Sequence, residues 1–177
     1  RPIIEFGCGN ARDSRYFASQ GYNVFGCDIC KDAISKNADN AKGMENLHFQ
    51  VVDASDSGQV QGVINQARAL AGGGQLTVYS RFFLHSIDET QEEKFLHALS
   101  ASMTAGDKFY FEFRCLEDEA LEKVHGKGHY RRYIDTQALI QGISELGFDT
   151  TYDVTGRGMA KYKEEDPFVS RIIAQKR

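Results

Sequence analysis

Short apolar runs alternate with stretches of helical spacing from the first residues of the chain onward. Residues 2–6 (Pro2-Ile3-Ile4-Glu5-Phe6) stop at Gly7 and read as a strand buried in a parallel sheet. Residues 10–20 read as a helix closed by Gly21. Residues 22–27 form a second strand ending in Asp28, and residues 31–42 carry Ala33, Ile34, Ala38 and Ala41 on one helical face. Residues 47–52 are a third strand ending at Asp53. The helix marked by Val60, Val63, Ile64, Ala67 and Leu70 closes on Gly72-Gly73-Gly74. A fourth strand over 75–79, a helix marked by Phe95, Leu96, Leu99 and Met103, and a fifth strand over 108–113 continue the alternation. Leu139, Ile140, Ile143 and Leu146 mark a last helix before strands around 148–154 and 168–174.

Strand–helix alternation of this kind predicts a doubly wound α/β fold: a mostly parallel, seven-stranded, Rossmann-like sheet with helices on both faces. Without repeats or low-complexity tracts, residues 1–177 read as a single domain. The chain starts at Arg1, without a methionine, and enters a strand at once, so it is expected to be part of a longer polypeptide. Two stretches, 115–133 and 155–167, are too long for simple turns and are expected either to serve a binding site or to be disordered.

Composition narrows the function only a little. A net charge of −4 argues against general nucleic-acid binding, which wants a basic footprint. No apolar run is long enough to span a membrane and no signal peptide precedes the first strand, so a cytoplasmic location is expected. Cys27 and Cys30 form a C-x-x-C pair, but no second pair or nearby histidine completes a metal site. Buried thiols in a reducing compartment are the plainer reading, and no metal is expected.

Three features fall where a doubly wound sheet binds its ligand, beyond the carboxyl ends of the strands. Glu5-Phe6-Gly7-Cys8-Gly9-Asn10 lets the backbone turn tightly in front of a helix N-terminus. Asp28, about 20 residues on, suits the two hydroxyls of a ribose. Asp53-Ala54 ends the third strand and suits an adenine amino group. Either acid alone could simply cap the helix after it. A dinucleotide fingerprint would place glycine at position 12, where this chain has Arg12, and no P-loop lysine follows the loop. Diphosphate binding is therefore disfavoured, and with it a nicotinamide-dependent dehydrogenase.

The run Ile3-Ile4-Glu5-Phe6-Gly7-Cys8-Gly9-Asn10-Ala11-Arg12-Asp13-Ser14 resembles motif I of the class I S-adenosylmethionine-dependent methyltransferases, with alanine at position 11 where a third glycine is common. The resemblance spans residues 3–113. It implies S-adenosylmethionine as cofactor, with Glu5, Gly7 and Gly9 around the methionine amino group and ribose, and Asp28, Asp53 and Ala54 around the adenosine. Arg12 or Ser14 is the candidate holder of the methionine carboxylate, and Ser80 at the fourth strand's end joins the cofactor set.

The segment after the fourth strand, Tyr79-Ser80-Arg81-Phe82-Phe83-Leu84-His85, lies where these enzymes put the residues nearest the transferred methyl. Together with Phe111-Glu112-Phe113-Arg114 and Gly128-His129-Tyr130-Arg131-Arg132-Tyr133, it resembles the subset that accompanies bacterial surface-polysaccharide synthesis. His85 is the candidate general base for an alcohol acceptor, and His129 is its rival. Arg81, Arg114, Arg131 and Arg132 are candidates to surround an anionic acceptor, and Tyr130 a flat wall for a sugar ring. Each arginine, taken alone, fits equally well a surface pair with an acid. The leading expectation is O-methylation of a small or carbohydrate-linked anionic acceptor. A non-catalytic S-adenosylmethionine-binding module within a larger protein is the competing expectation. The sequence leaves the oligomeric state open.

Overall fold

A computed structural model describes residues 1–123 and 128–177. The elements run β1 (Ile3–Phe6), α1 (Arg12–Ser19), β2 (Val24–Asp28), α2 (Lys31–Asn40), β3 (Leu47–Val51), α3 (Ser57–Leu70), β4 (Thr77–Arg81), α4 (Glu89–Ser102), β5 (Lys108–Arg114), α5 (Thr136–Glu145), β6 (Phe148–Gly156) and β7 (Val169–Lys176). All seven strands join one sheet in the order β3-β2-β1-β4-β5-β7-β6. β7 runs antiparallel to both β5 and β6, and the other pairs are parallel. The antiparallel turn follows from the chain itself. No helix separates β6 from β7, and adjacent strands can be parallel only across a long crossover.

Alternating side chains send apolar residues to both faces. Ile4, Phe6, Phe25, Cys27, Val78, Phe109, Phe111 and Ile172 form one core with Val60, Val63 and Ile64 of α3, Phe95 and Leu99 of α4, and Ile143 of α5. Ile3, Val24 and Leu47 point the other way, against Ala18 of α1 and Ala41 just beyond α2. Burial on this scale contributes about 25 cal/mol per Å² of apolar surface and dominates the fold's stability.

Strand order reverses between β1 and β4, so the loops leaving these two strands diverge and open a crevice at their carboxyl ends. Helix capping leaves that crevice's acids free. Asp56 caps α3, Asp88 forms a capping box with Gln91 on α4, and Asp135 caps α5. The cap position of α2 is Cys30. Asp28 and Asp53 therefore cap no helix. β4 extends two residues further than its apolar pattern suggests, because Arg81 pairs in register with Glu112 of β5.

Candidate functional site

The glycine loop after β1 is held from behind by β2. Gly7 and Cys8 donate their N–H groups to the Cys27 carbonyl at 2.8 and 3.0 Å, and Asn37 Nδ2 donates to the Gly9 carbonyl at 2.8 Å. Gly7 has φ +74°, and a Cβ there would lie 2.5 Å from the Phe83 ring. Only glycine fits both the left-handed backbone and that close approach. Ala11 adopts φ 55° just before α1 and offers no side-chain cap, and the Arg12 N–H that opens the helix donates to Asn10 Oδ1 at 3.3 Å.

Glu5 and Ser14 lie beneath this loop, buried, with the Ser14 hydroxyl donating to Glu5 Oε2. Burial pushes the Glu5 carboxyl up to about 7, with Asp13 adding to the rise and Ser14 opposing it. Gly26 sits opposite Glu5 in the β1–β2 register, where a Cβ would come within 2.9 Å of Ser14 Oγ and 2.6 Å of the Phe49 ring. The missing side chain at 26 makes the room in which Glu5 and Ser14 meet.

At the strand ends, Asp28 accepts N–H groups from Gly9 and Cys30, each at 2.9 Å. Asp53 Oδ1 accepts from the Ser55 N–H at 2.8 Å and its hydroxyl at 2.7 Å. Each carboxylate keeps lone pairs for further donors. These acids line a cleft of about 220 Å³ with Ile29, Ala54, Ser55, Phe83 and Ile87. A second cleft of about 330 Å³ adjoins it and is lined by Glu5, Gly9, Arg12, Asp13, Arg81 and Arg114. Its outer wall is the β6–β7 connection, through Ala160, Lys161, Tyr162, Glu165 and Pro167. The two clefts share Gly7 and Phe82. An elongated ligand with a nucleoside half and a charged tail fits this division.

The arginines divide in a way the sequence does not announce. Arg81 donates to Glu112 at 2.7 Å and to Asp13 at 3.3 Å, so its charge is shared before any ligand arrives. Burial disfavours the Asp13 carboxylate, yet Arg81, Arg12 and Tyr79 outweigh it and hold the group below the usual range. Arg114 is buried and bridges Asp118 at 2.7 Å and Glu165 at 3.2 Å. Arg132 donates to the carbonyls of Ile87 and Leu84 at 2.7 and 3.2 Å and pairs with Glu92, in a separate groove between α4 and α5. Arg131, half-buried, makes no ion pair among the described residues. Arg81, Arg114 and Arg132 thus hold the protein's own acids and loops.

His85 is buried in a 3-10 turn at Leu84–Ser86, where Nδ1 accepts the backbone N–H of Arg114 at 3.1 Å. That bond assigns the neutral ring with its hydrogen on Nε2. Burial, and then the charges of Arg114, Arg131 and Arg132, push its pKa down to about 3. Such a ring has no free lone pair with which to take a proton, and His85 lines neither cleft. The expectation of a base at His85 therefore finds no proton-accepting atom here. His129 and Tyr130 are exposed and, like Arg131, line neither cleft. Ser80 is buried, with its hydroxyl lacking a hydrogen-bond partner among the described residues, and it too lies outside both clefts.

Sequence reasoning passed over Asp13, Ile29, Phe82, Phe83 and Glu165 as site residues. Asp13 and Phe82 carried a signal, being an acid within the loop–helix junction and an aromatic directly after a strand end. Glu165 carried none, because β7's reversal brings it to the crevice. Cys27 is buried and Cys30 exposed, both as free thiols, and the described residues hold no cluster of metal-ligating side chains.

A family model described as a methyltransferase domain matches residues 3–106. An uncharacterized methyltransferase of Schizosaccharomyces pombe is 31% identical over 99 residues, covering 55% of this chain and 61% of that protein. The chain thus matches less than two thirds of that relative's length. In fold, the chain is similar to an S-adenosylmethionine-dependent methyltransferase from Anabaena variabilis, with a TM-score of 0.79 at 19% identity, covering 99% of this chain and 77% of that one. It is also similar to a glycopeptide N-methyltransferase complexed with S-adenosylmethionine, with a TM-score of 0.71 at 13% identity, covering 99% and 87%. The chain belongs to the methyltransferase domain family.

Proposed function

We propose that residues 1–177 act as one methyltransferase domain that methylates an oxygen of a small or carbohydrate-linked anionic acceptor in the cytoplasm, of the kind used in bacterial surface-polysaccharide synthesis. The observation that carries the reading is the pair of clefts joined at Gly7 and Phe82. In this reading the smaller cleft takes the adenosine, with Asp28 on the ribose hydroxyls and Asp53 and Ala54 at the adenine. Gly7 and Gly9 border the methionine half, and Arg12 at the start of α1 takes its carboxylate. Glu5 and Ser14 support the loop from beneath.

When bound, the cofactor supplies an electrophilic sulfonium methyl. The chain's own contribution is alignment, which can account for much of the barrier in a displacement of this kind. The acceptor enters through the larger cleft, whose rim carries the exposed cation Lys161. Glu165 supplies what His85 does not. Arg114 holds its Oε2, while Oε1 is buried without a hydrogen-bond partner among the described residues, a costly state that an acceptor hydroxyl would relieve by donating to it.

Incubation with methyl-labelled S-adenosylmethionine and a panel of small anionic and saccharide alcohols tests this. Label on an acceptor oxygen supports the reading. Label found only on amines contradicts O-methylation, and cofactor binding without turnover on any acceptor would mark a non-catalytic module.

A further inference from the structure

Phe82 is the aromatic residue common to both clefts. Its backbone is left-handed, at φ 55°, a conformation that phenylalanine rarely adopts and that surrounding contacts must enforce. The Phe82 N–H donates to the Glu112 carbonyl at 2.8 Å, and its ring meets the His85 ring edge-on at 5.3 Å. His85 is fixed in turn by the Arg114 backbone. These contacts hold one aromatic ring at the seam between the clefts.

A molecule with adenosine in one cleft and an amino-acid tail in the other must place the sulfur that joins them at that seam, beside Gly7 and Phe82. In S-adenosylmethionine this sulfur is a sulfonium cation; in the demethylated product it is a neutral thioether. An aromatic face attracts cations, and this ring already has the guanidinium carbons of Arg81 and Arg114 at 5.3 and 6.0 Å. Both guanidiniums are matched by carboxylates, Arg81 by Asp13 and Glu112 and Arg114 by Asp118 and Glu165, so the surroundings do not repel a further cation.

We propose that Phe82 is a specificity-determining residue whose ring holds the sulfonium and so makes the site prefer charged cofactor over neutral product. This rests on the reading that the two clefts hold the cofactor. In the cycle, loss of the charge with the methyl would weaken the ring's hold and favour product release.

The test is calorimetric and needs no acceptor. S-adenosylmethionine, S-adenosylhomocysteine and sinefungin, which carries an ammonium where the sulfonium would be, are titrated into the parent and Phe82→Leu. The leucine variant should bind the two cationic ligands about tenfold more weakly and S-adenosylhomocysteine nearly as the parent does. Since leucine also loses the ring's contact with His85, the same titrations are made with ring-fluorinated phenylalanines at position 82, which keep the shape and drain the ring. Affinity for the cations should fall with each added fluorine, and affinity for the thioether should not. An unchanged ratio of cationic to neutral ligand in both series overturns the role of Phe82 alone. A parent that binds none of the three overturns the cofactor reading, and this inference with it.

Discussion

One carboxylate oxygen of Asp28 accepts the backbone N–H of Gly9 and the other that of Cys30, each at 2.9 Å. The end of β2 is thereby tied to the glycine loop of β1, and the acid that would meet a ribose also shapes the loop that would border the methionine half. Asp28→Ala should weaken binding of S-adenosylhomocysteine by about 1–3 kcal/mol, the cost of losing charged hydrogen bonds. Unfolding should stay cooperative, because Asp28 lies at the crevice and outside the apolar cores. Calorimetry alongside a thermal melt checks both, and parent-like affinity would reduce Asp28 to a loop tether.

Glu5 and His85 give stability opposite slopes with pH. The buried Glu5 carboxyl is raised from 4.5 to about 7, so its penalty is absent below pH 4.5 and grows as pH rises to 7, on the order of 3 kcal/mol. His85 is lowered from 6.5 to about 3, so its contribution is complete above pH 6.5 and is lost as pH falls towards 3. The two offset each other between about pH 4.5 and 6.5. Glu5→Gln should remove the alkaline decline and leave stability falling as the solution is acidified below pH 6.5. His85→Gln should do the reverse, leaving a decline between pH 4.5 and 7. Urea midpoints across this range measure both, and two unchanged profiles would contradict the burial of these groups.

The parts of this molecule legible in the sequence depend on near neighbours. Gly7, Gly9, Asp28 and Asp53 lie at or just beyond the carboxyl ends of strands, so their positions at one sheet edge follow from the alternation itself, and all four line the clefts. The partners of Arg81, Arg114 and Arg132 lie 31 to 68, 4 to 51 and 40 to 48 residues away, in other elements or in the connections between them. Nothing in the local pattern separates such an arginine from one that greets a ligand. His85 is similar: its position after β4 was readable, but the backbone N–H of Arg114 that occupies its ring nitrogen comes from β5. The stretch 155–167 is expected either to serve a site or to be disordered, and it lines the larger cleft. Its most relevant residue, Glu165, is hidden in the sequence because only the tertiary fold buries its Oε1, with no hydrogen-bond partner among the described residues.

Gly7 carries two separable constraints, its backbone at φ +74° and the Phe83 ring 2.5 Å from any Cβ. Gly7→Ala should destabilise by about 1–3 kcal/mol, from left-handed strain plus overpacking. Combining it with Phe83→Ala should relieve the overpacking and leave the strain, giving a favourable interaction energy in a double-mutant cycle. Strict additivity of the two changes would mean that the ring and the glycine do not meet.

Arg131 and Arg132 are identical side chains with different work. Arg132 satisfies the carbonyls of Leu84 and Ile87 and pairs with Glu92, whereas Arg131 has no ion pair among the described residues. Arg132→Ala should lower stability by about 2 kcal/mol, having left buried acceptors unpaired, and Arg131→Ala by less than about 0.5 kcal/mol. Chemical denaturation of the two variants in parallel gives the comparison, and equal losses would contradict the distinction.

In the proposed reading, the joined clefts at Gly7 and Phe82 receive S-adenosylmethionine and not a dinucleotide. Isothermal titration of the unmodified chain with S-adenosylmethionine and, separately, with a nicotinamide dinucleotide tests it most directly. Saturable one-to-one binding of S-adenosylmethionine at micromolar levels, about −8 kcal/mol, with no heat from the dinucleotide is the predicted result. Tight dinucleotide binding with no response to S-adenosylmethionine would contradict it.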